Sequence, residues 1–298
     1  MTFSPHPELV LGTVQFGLEY GITNSAGRPS DEMLDDILVQ AHGQIGWLDT
    51  SIKYGDALDR LGRATAAPYA IVTKIDGRTP AGAIEEIALT LAKLGRERLD
   101  AVLFHDPSIF SDGVLAAEVV AALRAEQSGG RIARIGASLY ESREIEAALA
   151  VFTPDLLQLP SNIADRRLLD NGVAASLQQS GIDVHYRSAF LQGLLLSSLE
   201  DMSGPFSGLE PLLRELDGLA AELGVSRQTL CLHWVAGLPA ASGVVCGIAT
   251  LGELRPLVDA YEAAMALDVR PRLDDLANRV SIDPALLDPR RWASLLER

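Results

Sequence analysis

The sequence predicts an α/β fold, a (β/α)8 TIM barrel built as a single domain, and three observations carry that expectation. Short apolar or β-branched runs alternate with longer amphipathic segments along most of the chain. The runs are continuous in their apolar character, the pattern of parallel strands covered on both faces. Eight of them occur, each followed by a helical pattern, and eight such units favour a closed barrel over an open doubly wound sheet.

The predicted strands are residues 9–14, 46–50, 69–75, 100–105, 132–138, 155–159, 183–188 and 243–247. The predicted helices are residues 31–42, 80–94, 113–127, 142–152, 167–179, 211–223 and 251–265, with an additional one over 225–238 before the last strand. Ser30 is placed to cap the helix that starts at Asp31, with Met33 at the third helical position, so no capping box forms there. Thr250-Leu251-Gly252-Glu253 does fit a capping box. Gly95, Gly181 and Gly224 follow helical runs where a left-handed C-terminal cap belongs. No linker, repeat or low-complexity tract divides the chain, so residues 1–298 read as one domain. Residues 268–298, with Pro271, Pro284 and Pro289, are weakly patterned and are expected to form a C-terminal tail over one barrel mouth.

With 48% hydrophobic and 22% charged residues among 298, the chain can bury a full core. Its formal net charge of −15 opposes nucleic acid, whose non-specific binding rests on Lys and Arg, and opposes anionic membrane surfaces. Cys231 and Cys246 lack CxxC spacing and read as packed, reduced thiols rather than zinc ligands. The opening MTFSPHPELV has no signal-peptide pattern, and no run approaches the ~20 apolar residues that span a bilayer. A cytoplasmic setting is the expectation. The oligomeric state is left open.

Barrel enzymes carry their reactive groups where strands run into the following loops. Asp49 ends GWLDTS, Lys74 ends AIVTKI, His105 ends DAVLFHDP, and Tyr54 follows Asp49 in its loop. Successive strands thus deliver a carboxylate, an ammonium and an imidazole to one rim. Lys74 is one of three lysines in the chain and sits at the end of an apolar strand, where an unpaired charge is costly. Taken singly, Asp49 and Lys74 could be a structural ion pair, His105 a barrel-end histidine and Tyr54 a loop aromatic. Together they suit proton delivery to a carbonyl oxygen. A phenol titrating near pH 10 is a poor acid–base group at neutral pH, and a nearby Lys74 ammonium would lower that value while Asp49 holds the lysine charged. His105 would orient the substrate oxygen. The hydride must come from a cofactor, since no side chain supplies one.

LGTVQFGLEYG, LDTSIKYGDALDRLG, IVTKI and VLFHDP, followed by IARIGASLYE, DLLQLPSN, YRSAFLQGLL and VVCGIATLGEL, resemble the ordered motifs of aldo-keto reductases over residues 9–257. The resemblance implies Tyr54 as general acid–base, supported by Asp49, Lys74 and His105. It also implies NAD(H) or NADP(H), with Ser138 and Gln158 on the nicotinamide carboxamide and loop 188–193 around the pyrophosphate. The cofactor-binding candidates are Gly12, Thr13, Asp49, Ser138, Gln158, Arg187, Ser188, Phe190, Gln192, Gly193, Gly247, Thr250 and Glu253. Several positions depart from the family pattern. Leu139 replaces an asparagine, Arg187 an aromatic that stacks on nicotinamide, Ala249 a basic residue near the adenosine phosphate, and Pro256–Leu257 a Glu–Asn pair.

These features predict an oxidoreductase interconverting a carbonyl and an alcohol on a small molecule, with a sugar as the candidate substrate. NAD(H) is expected to be used at least as well as NADP(H), because residues 188–213 and 247–254 contain no Lys or Arg and Glu253 opens the last helix. The alternatives are a redox-sensing nicotinamide-binding barrel acting on a protein partner, and a glycoside hydrolase built on Asp49 and Asp106. No GxGxxG follows a strand and no GxSxG occurs. His185 and His233 read as core residues, and no metal site is expected.

Overall fold

A computed structural model of the chain describes residues 6–64, 69–202 and 204–292. Eight parallel strands close into a barrel in sequence order: β1 (Glu8–Gly12), β2 (Trp47–Asp49), β3 (Ala70–Ile75), β4 (Ala101–Phe104), β5 (Ile135–Ser138), β6 (Leu156–Pro160), β7 (Asp183–Arg187) and β8 (Ala241–Gly247). All eight predicted strands are present, and their ends differ by a few residues. The first stops at Gly12 because residues Val14–Gly17 wind into a helical turn, Phe16 N–H donating to Thr13 O. Ile132 makes only an isolated bridge to Leu99 before β5 begins.

The predicted helices form as Asp31–Ala41, Pro80–Leu94, Gly113–Ser128, Ser142–Val151, Glu210–Leu223, Arg227–Ala236 and Leu251–Met265. The helix expected over residues 167–179 is two pieces, Arg167–Asp170 and Val173–Gln179, separated at Asn171 and Gly172. Two further helices, Ala57–Arg63 and Arg270–Arg279, are absent from the sequence expectation; each is short and buries only a few apolar residues, such as Leu58 and Leu61 on the first and Leu273 and Leu276 on the second. Ser30 caps its helix by accepting from Met33 N–H, and Gly95, Gly181 and Gly224 all take positive φ. The capping box at Thr250 does not form. Its side chain makes no cap hydrogen bond, and Glu253 Oε2 accepts instead from Ala249 N–H, one residue before the cap, at 2.7 Å. Glu144 plays the reciprocal part on the helix after β5, accepting from Tyr140 and Glu141 N–H groups.

Strand register decides what faces the barrel axis. Gly12 stands beside Asp49 and Gly247, Lys74 beside Leu103, Leu103 beside Gly136, Ser138 beside Gln158, and Gln158 beside His185. With a side-chain period of two, these positions share the inner face. Deeper along the axis that face is apolar: Val72, Ala101, Leu103 and Leu156 form their own cluster with Trp47 against it. At the carboxyl ends it becomes polar with Asp49, Lys74, Ser138 and Gln158. The other strand face packs on the helices through residues such as Leu11, Leu48, Ile71, Phe104, Leu157 and Val184.

Past the last helix the chain runs against the loops that follow β5 and β7. Trp292 is buried with its ring edge-on to Phe206 at 5.0 Å, and its indole N–H donates to Leu286 O. Residues 1–5 and 293–298, on which parts of the terminal readings fall, lie outside the described residues. No described helix is long and apolar enough to cross a membrane. Both cysteines are buried and free, with burial pushing their thiols up to about 12.

Candidate active site

The carboxyl ends of the strands surround a cavity of about 780 Å³. Asp49, Tyr54, Lys74 and His105 all line it. So do Gly12, Thr13, Ser138, Gln158, Arg187, Ser188, Phe190, Gln192, Gly193, Gly247 and Glu253, whereas Thr250 is not among its lining residues. Asp106 lies outside it, half-buried and paired with Arg78 while its other oxygen accepts from Ser108 N–H. That separates the two carboxylates of the hydrolase alternative.

On the cavity floor, β2 and β3 bring Asp49 and Lys74 together. Lys74 Nζ donates to Asp49 Oδ1 at 2.7 Å and to Thr50 O at 3.2 Å, with Lys74 only 1% and Asp49 3% exposed. The second carboxylate oxygen accepts from Gln158 Nε2 at 2.7 Å. Burial by itself would strip the lysine's proton, but the adjacent carboxylate outweighs it and holds the ammonium above its ordinary range. Lys74 Nζ lies 5.1 Å from the centre of the Tyr54 ring. The tyrosine differs from expectation: burial raises its phenol above the ordinary value, and the opposing pull of Lys74 does not overcome that. Taking a phenolate out of water costs more here than one partly neutralised ammonium returns.

Close backbone packing positions Tyr54. Gly17 sits so near that a Cβ there would lie 1.8 Å from Tyr54 O. Ala57 N–H donates to the same carbonyl at 3.0 Å, closing the turn into helix Ala57–Arg63. Arg60, buried on that helix, donates to Phe16 O at 2.5 Å, Pro29 O at 2.7 Å and Asp31 at 2.6 Å. The loop after β1 and the loop after β2 are thereby tied into one unit.

His105 stands edge-on to Tyr54 with ring centres 6.3 Å apart. Its Nδ1 is 3.3 Å from Ser51 Oγ and 3.7 Å from Asp76, which Lys53 holds at 2.8 Å. Burial, then the Lys74 charge, lower its pKa to about 4, so the imidazole is neutral at neutral pH. Ser51, Lys53 and Asp76 are neighbours of His105 that motif reading passes over, because none ends a strand.

Across the cavity the loop after β7 carries unusual backbone. Ser188, Leu191 and Gln192 have φ of 64°, 49° and 54°, and Gly193 has φ of 94° with its Cα against Thr23. Such a run of left-handed residues costs of order 1 kcal/mol or more per non-glycine position and concentrates at ligand sites. Asn162 fixes the loop by donating to Ser188 O at 3.1 Å, and Tyr20 OH accepts from Gln192 Nε2 at 3.2 Å. Tyr20, Gln15 and Tyr140 also line the cavity. Tyr20 and Tyr140 sit in loops and Gln15 in the short turn Val14–Gly17, and only folding brings them to the site.

Buried polar atoms without partners indicate what could fill the cavity. Gln158 Oε1 and Gln15 Oε1 are buried and accept no hydrogen bond. Gln158 Oε1 suits the N–H of a carboxamide, and Gly247, with no side chain, leaves room against the Gln15 amide. The residues present therefore fit a nicotinamide dinucleotide. Among the described residues, no cluster of His, Cys, Asp and Glu could hold a metal.

Among solved structures, an aldo-keto reductase from Bacillus halodurans in its holo form superposes with a TM-score of 0.76 at 18% identity, covering 95% of each chain. A glycerol dehydrogenase from Gluconobacter oxydans superposes at 0.72 and 20% identity, covering 96% of this chain and 95% of that one. At these identities the likeness shows the fold. An NADH-specific methylglyoxal reductase of Escherichia coli (strain K12) is 31% identical over 121 residues, which is 41% of this chain and 37% of the relative's length. The model of the aldo/keto reductase family matches residues 8–278, and on that match the chain belongs to the aldo/keto reductase family.

Proposed function

We propose that this protein is a nicotinamide-dependent oxidoreductase that interconverts a carbonyl and an alcohol on a small molecule, with Tyr54 as the general acid–base. The observation that carries the reading is the chain of contacts from the partly buried Tyr54 through the buried Lys74, Asp49 and Gln158 on the cavity floor, ending in the unpartnered Gln158 Oε1. The cofactor, when bound, supplies or accepts the hydride. In reduction the Tyr54 phenol, kept protonated by burial, donates its proton to the carbonyl oxygen. The phenolate left behind faces the Lys74 ammonium, and Asp49 keeps that ammonium charged and in place. In oxidation the same phenolate takes the alcohol proton. Ser51 Oγ accepts from Lys53 N–H at 3.2 Å, so its own hydrogen is available to His105 Nδ1. That assignment leaves His105 Nε2–H to donate to the substrate oxygen. Gln158 and Ser138 would hold the carboxamide, and loop 188–193 the pyrophosphate.

NAD(H) is the cofactor this site favours. Lys74 and Arg187 are the only Lys or Arg among the described lining residues, and both sit at strand ends on the inner face. Toward the helix after β8 the lining offers Glu253, and Arg255 turns away to pair with Asp259 at 2.7 Å. A 2′-phosphate would find no cation there. The NADH specificity named for the Escherichia coli relative agrees with this reading. The two buried thiols suit a reducing, cytoplasmic setting, and the C-terminal segment, with Trp292 against Phe206 and Arg290 against Tyr140, is the part of the chain that would cover one barrel mouth.

An absorbance screen of NADH and NADPH against small aldehydes, ketones and sugars tests the activity. Tyr54→Phe then tests the mechanism: the chemical step should slow by about 10²–10⁴ while NADH binding persists. A variant that keeps more than half the wild-type turnover with chemistry rate-limiting removes Tyr54 from the role.

A further inference from the structure

Among the described residues Arg187 is a guanidinium without a counter-ion. It ends β7 on the inner face, lines the cavity, and has no carboxylate within salt-bridge distance among the described residues. One polar contact, to Ser188 Oγ, is at 3.5 Å, the outer limit of a hydrogen bond. Nη2 is buried and makes no hydrogen bond. The chain spends structure on holding this group. Its Cζ lies 4.1 Å from the centre of the Tyr140 ring, and Arg290 of the C-terminal segment lies 3.8 Å from the same centre. Two guanidiniums that close to one ring occupy its opposite faces.

The two arginines differ in what neutralises them. Arg290 is matched by Asp288 at 2.8 Å and Glu141 at 3.6 Å. Among the described residues Arg187 has, besides the long Ser188 contact, the π face of Tyr140, which attracts a cation without cancelling its charge. A partly buried arginine left unmatched is an unstable arrangement unless an anion completes it. The group also lies within electrostatic reach of Tyr54 and Tyr20, so a ligand anion on Arg187 shares the cavity with the reacting carbonyl.

We infer that Arg187, braced by Tyr140 and Arg290, is an oxyanion subsite that selects carbonyl substrates bearing a carboxylate or phosphate close to the carbonyl. This rests on the oxidoreductase reading above and names its substrate class. A planar fork of N–H groups matches either oxyanion with two hydrogen bonds. Arg187 would then set specificity through binding, with Tyr54 still handling the proton.

Paired substrates test it: succinic semialdehyde against butanal, and glyceraldehyde 3-phosphate against glyceraldehyde, with wild type and Arg187→Met. The wild type should favour the anionic member of at least one pair by tenfold or more in kcat/KM. Arg187→Met should lower kcat/KM for that member at least tenfold more than for its neutral counterpart, mainly through KM, and Arg187→Lys should recover part of the difference. Equal activity on both members in the wild type overturns the inference. So does an equal loss on both members with a raised Kd for NADH, which would place the guanidinium on the cofactor's pyrophosphate. Calorimetric titration of oxamate and of inorganic phosphate into both proteins, each with NADH present, separates the two readings. If no carbonyl compound is turned over, the oxidoreductase reading fails. Anion binding that weakens tenfold in Arg187→Met still supports the subsite, and anion binding absent from the wild type or unchanged in the variant overturns it.

Discussion

Removing the Lys74 charge should move the whole pH profile upward. With Nζ 5.1 Å from the Tyr54 ring centre, Coulomb's law at an effective dielectric of about 20 gives about 3 kcal/mol, roughly 2 pKa units of support for the phenolate. Lys74→Met deletes that support and leaves Asp49 facing the phenol without its cation, so roughly 2 units is the smaller side of the effect. The assay is the pH dependence of kcat on one substrate pair followed in both directions. Reduction needs the phenol and oxidation the phenolate, so the alkaline fall of the first and the rise of the second should share a midpoint. In Lys74→Met that midpoint should lie roughly 2 units above the wild type. The variant also breaks a buried ion pair, at about 3–5 kcal/mol of stability. The double variant Asp49→Asn/Lys74→Met removes both charges and should recover much of that stability without restoring the wild-type midpoint. A Lys74→Met midpoint within about half a unit of wild type, in a folded protein, would refute the electrostatic coupling.

Three further outcomes follow from the geometry. Gly17→Ala forces a Cβ against Tyr54 O, so the loop must shift; kcat should fall at least tenfold with NADH affinity less affected, and an unchanged kcat would show that the loop can relax. On one turned-over substrate, kcat/KM for NADP(H) should not exceed that for NAD(H) by more than tenfold; a larger ratio would require Arg255 to leave Asp259 for the 2′-phosphate. His105 and His185 are both depressed from 6.5 to about 4, His105 by burial and then Lys74, His185 by burial and then Arg134. Groups held neutral in the fold contribute stability above pH 6.5 that is lost as pH falls toward 4, at about 1.4 kcal/mol per pH unit each. Urea unfolding between pH 6.5 and 5 should show that slope, and His185→Asn should remove about half of it; an identical slope in the variant would assign the loss to carboxylates.

Strand number, parallel direction and most helices were legible in the chain because buried parallel strands and amphipathic helices impose their periods locally. The strand-end residues Asp49, Lys74 and His105 were legible for the same reason: a polar group closing an apolar run marks the rim of a barrel. Loop geometry was not. Glu253 bonding to Ala249 rather than completing a cap with Thr250, and the two-piece helix over residues 167–179, depend on local hydrogen bonds that composition does not rank. The contacts that give the site its chemistry join residues far apart in the chain: Gln158 on Asp49, Gly17 on Tyr54, Arg290 and Arg187 on Tyr140. Even the sign of the Tyr54 shift was a tertiary matter. The sequence by itself determined that a lysine accompanies the tyrosine, but only the enclosing fold decided how much water the phenol loses, and that loss outweighs the charge.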